Sequence, residues 1–251
     1  MQVKFRKKSQ ITLPMAVVEQ LELKEGDKME VEIINQTVCL TPFESKKRKP
    51  TETADLTKKE YFEKNNTIKN NSKLYFECLG HFAIYNYGKL VLLSNKKAEE
   101  LIAFLICERG YPVLKETIAT FLWPQAEKRK SMECLYKVWK YICNLSQMNI
   151  EIPIISERNH MYFNSDDCVI DLEQFESYYE NRRDIRSCEA AIQLYRGPLY
   201  YHQCYNWISQ WEAYYEIRFW KLIEVVIEYY QRKDMLDIVE KYRNIIARYE
   251  C

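Results

Sequence analysis

Lys128-Arg129-Lys130-Ser131-Met132-Glu133-Cys134-Leu135-Tyr136-Lys137-Val138-Trp139-Lys140-Tyr141-Ile142-Cys143-Asn144-Leu145 places its apolar side chains at helical spacing. Met132, Leu135, Val138, Trp139, Ile142 and Leu145 fall on one side of an α-helix, while Lys130, Glu133, Lys137, Lys140 and Asn144 fall on the other. A helix over 128–145 is therefore expected, buried on one face and wet on the other. Beyond it, Ile154-Ile155-Ser156 and Met161-Tyr162-Phe163 flank Glu157-Arg158-Asn159-His160. Two short β-prone runs around a polar tip predict a hairpin.

Upstream, Leu74–Leu79 and Phe82–Tyr85 are β-prone, and Asn86-Tyr87-Gly88-Lys89 supplies a turn before Leu90-Val91-Leu92. Asn95 can cap a helix whose Ala98, Leu101, Ile102, Phe104, Leu105 and Ile106 recur at helical spacing until Gly110. A second helix runs from Lys115 to Leu122 and is closed by Trp123-Pro124. Helix, helix, amphipathic helix and hairpin is the order of a winged helix-turn-helix over 74–165. In that fold the third helix enters the major groove and the hairpin touches the DNA backbone or minor groove. This nominates Lys130, Lys137 and Lys140 on the helix, and Arg158 and Asn159 with His160 on the hairpin. The alternative for the lysines is a solvated helix face; for the tip, an ordinary hairpin turn.

Downstream, 166–251 reads as all helix: Asp171–Arg182, then Ser187–Tyr195 stopped by Arg196-Gly197-Pro198, a long helix Trp207–Arg232, and Asp234–Tyr249. On the long helix, Trp207, Trp211, Tyr214, Leu222, Val225 and Tyr229 form one stripe, and Ile208, Phe219, Ile223 and Tyr230 another. Two apolar faces imply packing on two sides, as in stacked helical pairs. The aromatic stripe is read as core, not as a ligand cage.

At the other end, Pro14–Leu21 fits one short helix and Gly26-Asp27 a turn. Met29, Val31 and Ile33 alternate with Glu30 and Glu32, and after Asn35-Gln36 a second run places Val38 and Leu40 on one face. About a dozen apolar residues cannot hold a monomeric core, so dimerisation is expected to supply the missing burial. Residues 44–73 carry almost no periodic apolar positions and open with Lys46-Lys47-Arg48-Lys49. They are read as a flexible basic linker that also adds non-specific phosphate attraction.

The whole chain has 251 residues, 37 Lys+Arg against 36 Asp+Glu, and a formal charge of +1. That balance excludes a uniformly basic histone-like chain, so contact with nucleic acid must be local. Lys+Arg exceed Asp+Glu by 15 to 11 over 1–73 and 11 to 9 over 74–165, then trail 11 to 16 over 166–251. A basic front and an acidic back suit a polyanion at one end and protein at the other. Nine Cys, at 39, 78, 107, 134, 143, 168, 188, 204 and 251, contain no C-x-x-C, and only three His accompany them. A reduced, soluble, cytoplasmic protein without metal or cofactor is expected. Five Gly, none in a phosphate-cradling spacing, argue against nucleotide enzymes. Cys134 and Cys143 sit on the third helix, and His160 and His202 stand isolated, so no nucleophile with its base can be assembled. No enzymatic activity is expected.

Two sets of residues carry family resemblances. Lys8-Ser9-Gln10-Ile11-Thr12-Leu13-Pro14, Leu21-Glu22-Leu23-Lys24-Glu25-Gly26-Asp27 and the hairpin ending Leu40-Thr41-Pro42 resemble the AbrB/MazE (SpoVT-AbrB) swapped-hairpin domain over 1–43. The resemblance implies an intertwined homodimer laying its basic N-terminal strands on double-stranded DNA, through Arg6, Lys7, Lys8, Ser9 and Gln10. Ser9 stands where that family commonly has glycine. Phe76–Val91 with Leu79-Gly80-His81-Phe82, then Glu99–Val113 and Phe121-Leu122-Trp123-Pro124, resemble the OmpR-type winged helix of SARP-like regulators. That family usually shows arginines on its recognition helix, where this chain has Met132, Tyr136, Tyr141, Cys143 and Asn144. Ile170–Glu176, Ala190–Gly197 and Trp207–Trp211 look like the first half of the tetratricopeptide-like bacterial transcriptional activator domain, which serves protein contacts.

The expectation is an α+β multidomain chain: a small swapped-hairpin β domain, a winged helix-turn-helix and C-terminal all-α tetratricopeptide-like helices. Its expected role is dimeric, DNA-binding transcription regulation, with the helical end taking a protein partner such as RNA polymerase and no membrane involved. The alternative is an interaction scaffold or antitoxin-like protein whose winged helix has lost DNA recognition.

Overall fold

The computed structural model describes residues 67–249 together with four N-terminal strands, β1 (Phe5–Arg6), β2 (Gln10–Ile11), β3 (Met29–Ile34) and β4 (Thr37–Pro42). The chain is α+β and divides into two compact units, Met1–Thr51 and Glu52–Cys251.

In the first unit β1 and β2 pair antiparallel, with Arg6 opposite Gln10. β3 and β4 form an antiparallel hairpin in which Val31 faces Leu40 and Ile33 faces Val38. This register pairs apolar residues with apolar residues, as the alternation of the sequence predicts. The helix expected at Pro14–Leu21 and most of the linker expected at 44–73 lie outside the described residues.

The described part of the second unit starts with helical residues 67–71 and β5 (Leu74–Glu77). Lys69, read from sequence as linker, pairs with Glu77 at 2.9 Å and lies 3.2 Å over the Tyr85 ring. β6 (Ala83–Asn86) and β7 (Lys89–Val91) complete an antiparallel meander. Helix α1 (Lys96–Cys107) follows, its first amides held by the Asn95 side chain, as its sequence suggests. It is buried almost all round, with Leu101, Ile102, Ala103 and Leu105 fully covered. Arg109 and Gly110, both at positive φ, end that turn.

β8 (Val113–Leu114), α2 (Lys115–Leu122) and α3 (Lys128–Asn144) come next, then a 3₁₀ turn over Leu145–Met148. The hairpin of β9 (Ile154–Ser156) and β10 (His160–Phe163) has its expected place, and β8 adds a third strand beside β10.

A short strand β11 (Val169–Ile170) then returns and pairs parallel with β5, making the sheet order β11-β5-β6-β7. It leads into α4 (Asp171–Glu180), α5 (Ile185–Leu194), α6 (Ser209–Arg232) and α7 (Leu236–Tyr249). One apolar core runs without a break from Leu74 to Tyr242.

The junction is stitched by polar groups. Asp171, 0% exposed, accepts hydrogen bonds from the Cys78 amide at 2.9 Å and the Leu79 amide at 3.1 Å, and pairs with Arg196 at 2.7 Å. Burial pushes its carboxyl above the usual range, opposed by Arg196 and those amides. The chain at 198–201 runs alongside 78–80: the Gly80 amide donates to Pro198 at 3.1 Å, Tyr200 to Cys78 at 2.9 Å and Tyr201 to Gly80 at 2.7 Å. Gly80 is required there, since φ is +104° and an added Cβ would lie 3.2 Å from that of Arg196.

On α6 the buried positions are Tyr215, Phe219, Leu222, Ile223 and Val226, a single face. Val225, assigned from sequence to a packing stripe, is 38% exposed, because it lies about a quarter-turn off that face.

Candidate nucleic-acid interface

Helix α3 is sorted by its own periodicity. Leu135, Val138 and Ile142 are buried against the core, while Lys130, Lys137 and Lys140 are exposed on the opposite side. Among the described residues none of these three lysines forms an ion pair. Their neighbours are compensated: Lys128 pairs with Glu116 of α2 at 2.7 Å, and Arg129 with Glu133 at 3.2 Å. The Glu133 carboxylate, which would repel phosphate, thus has a cation one turn away. Tyr136, 51% exposed, and Cys143 and Asn144 occupy the rest of the outer surface.

The wing tip is held, not merely connected. The Glu157 amide donates to the His160 carbonyl at 2.9 Å and closes the turn, leaving Arg158 and Asn159 exposed. Lys115, only 8% exposed, grips this turn from α2. Its amide donates to the Asn159 carbonyl at 2.9 Å, and its ammonium to the carbonyls of Glu157 and, at 3.4 Å, Arg158. The same ammonium lies 5.9 Å from the centre of the Tyr136 ring. One side chain therefore bonds the wing and lies within cation–π range of the outer face of α3, so that a buried cation raises the potential between the two.

The sequence nominates the lysines of α3 and the tip residues Arg158 and Asn159, which the structure leaves exposed, but not Lys115. A signal was present: a cation in the first turn of a helix opposes the macrodipole, so something else must hold it there. Of the N-terminal candidates, Arg6 and Gln10 are cross-strand partners in β1 and β2. Lys7, Lys8 and Ser9 lie outside the described residues.

Among the described residues, no group of three or more His, Cys, Asp and Glu is arranged to hold a metal ion. No described helix is long and apolar enough to cross a membrane.

One comparison with known proteins follows the division of the fold. The family model described as "Antidote-toxin recognition MazE, bacterial antitoxin" matches residues 2–51. Among solved structures, "Mycobacterium tuberculosis EmbR in complex with low affinity phosphopeptide" is similar at 16% identity and a TM-score of 0.52, over 63% of this chain and 45% of that one. The likeness is one of fold, and the chain spans less than half of that structure's length. No curated protein matches the chain.

Proposed function

We propose that this protein is a DNA-binding transcription regulator that acts as a dimer through residues 1–43. Its winged helix, over 74–165, adds contacts to the duplex, and the acidic helices of 166–251 take a protein partner. The observation that carries this reading is the exposed row Lys130, Lys137 and Lys140 on α3, beside a wing tip that Lys115 of α2 holds by hydrogen bonds. Lysines without carboxylate partners, projecting from one helix face, are suited to phosphate oxygens, and a helix with an adjacent hairpin matches groove and backbone together. The N-terminal match to an antitoxin family model supports a second basic surface at Arg6, Lys7, Lys8, Ser9 and Gln10. Gel-shift and footprinting of the full chain against genomic fragments test the reading. Protected sites that contract or vanish in Lys140→Glu are expected; unchanged protection on both specific and random DNA would remove the winged helix from the interface.

A second reading has its own support. The outer face of α3 bears Tyr136 and Cys143 among its lysines, and the family match is described as antidote-toxin recognition. In this reading the chain is an interaction scaffold or antitoxin-like protein, and the winged helix presents a protein surface. Absence of any retarded band, with retention of a protein partner by the full chain, would favour it.

A further inference from the structure

The 251 residues include three His, and two of them, His81 and His202, meet in space although 120 positions separate them in the chain. Their ring centres are 5.3 Å apart with the planes tilted by 39°, and both side chains are exposed. The contact is prepared by the backbone. His202 has φ of +70° and Tyr200 has φ of +49°, left-handed conformations that cost non-glycine residues stability and persist only where the surroundings impose them. Here they are imposed by the bonds of Tyr200 and Tyr201 to Cys78 and Gly80, by Gln203 to Tyr200 at 2.8 Å, and by the fully buried Tyr200 ring, whose hydroxyl donates to the Ala103 carbonyl at 3.1 Å. Tyr201 packs on the His202 ring at 3.7 Å and restricts it further.

We propose that His81 and His202 together form a binding site for a divalent transition-metal ion of the zinc, nickel and copper class. Imidazole is a favoured donor for these ions. With nitrogen about 2.1 Å from zinc and the ring centre about 1.2 Å behind it, two imidazoles at a tetrahedral angle stand about 5.4 Å apart, centre to centre. The observed 5.3 Å matches that separation. Among the described residues no third His, Cys, Asp or Glu completes the set, so the remaining positions belong to water or to a donor from a bound partner. Occupancy would tie the turn after β5 to the loop before α6, and so clamp the winged-helix sheet to the helical segment from outside.

The chain's small histidine content makes the test direct. The full-length protein, labelled with ¹⁵N at His, is titrated with zinc chloride while the imidazole resonances are followed; His160 serves as the internal control. Shifts confined to His81 and His202 are expected, with His160 unmoved. In His202→Asn, apparent zinc affinity at His81 should fall about tenfold or more, while Cys204→Ser leaves the titration unchanged. The thermal midpoint of the wild type should rise with zinc and that of both His81→Asn and His202→Asn should not. Imidazole resonances of His81 and His202 that stay put at millimolar zinc, or an equal response in His202→Asn, would overturn the proposal.

Discussion

Lys115 shows how much one side chain can decide in this molecule. Its ammonium is paired with carbonyls of the wing turn and lies beside an aromatic ring of α3, with no carboxylate among its described partners. Removing it leaves those carbonyls to find water and frees the wing from the helix. Lys115→Met should therefore weaken DNA binding by about 1–3 kcal/mol and speed amide exchange at 157–160, while Lys115→Arg restores part of both. Equal exchange at the wing in wild type and Lys115→Met would refute this. Phosphate contacts elsewhere have a different signature. Replacing Arg6, Lys7 and Lys8 together by Ala should flatten the plot of log K against log salt by about 0.9 per lost contact, and an unchanged slope would exclude them. Cys107, buried and near the Tyr200 hydroxyl at 3.8 Å, has its thiol pushed by burial from 9.0 up to about 12. Because the folded value is the higher one, its contribution is complete below pH 9 and is lost as pH rises toward 12. Urea midpoints measured between pH 8 and pH 10 should fall, and fall less steeply in Cys107→Ala.

At the scale of elements, those with a full period were legible. The alternation of apolar and polar residues from 128 on gave α3 to within one residue, and the Asn95 cap and both hairpins follow from local rules. Two-residue strands carry no period at all. Nothing local distinguishes Val169–Ile170 from the approach to a helix, yet pairing with β5 makes it a sheet strand. β8 is hidden for the same reason. The candidate interface was legible where it depends on residue type and spacing, at Lys130, Lys137, Lys140, Arg158 and Asn159. It was illegible where it depends on contacts across the chain, at Lys115, and the His81–His202 pair outside that interface was hidden for the same reason. Asp171 belongs with these: from sequence it opens a helix, whereas in space it collects two amides and a guanidinium from elsewhere. Asp171→Ala would strand all three donors. A loss of about 3 kcal/mol in urea unfolding is expected, toward the low end for a buried pair because Arg196 remains 38% exposed. A loss below about 1 kcal/mol would show that water replaces the carboxylate without penalty.

The largest scale is that of the assembled molecule. In the N-terminal unit the sequence alternation assigns Met29, Val31, Ile33, Val38 and Leu40 to one face, more apolar surface than Val17, Val18 and Leu21 are expected to cover. A two-fold partner would supply the cover and set two basic strands next to each other, a match for a palindromic half-site pair. The unfolding midpoint of residues 1–43 should then climb with protein concentration, and light scattering should report two chains per particle. A folded monomer at micromolar concentration would sink both the swapped hairpin and the dimeric mode of DNA binding.

The parallel pairing of β11 with β5 has a bearing on inheritance as well as on stability. A fragment ending at residue 165 would lose an edge strand, the acceptor at Asp171 and the 198–201 segment that shields Leu79, and would offer an open sheet edge to any neighbour. The winged fold and the helices after it cannot be traded as separate cassettes: recombination that swapped one for a foreign counterpart would have to carry both across together, and should yield soluble protein only when the crossover falls outside the stretch from Leu74 to Tyr242 that shares one core.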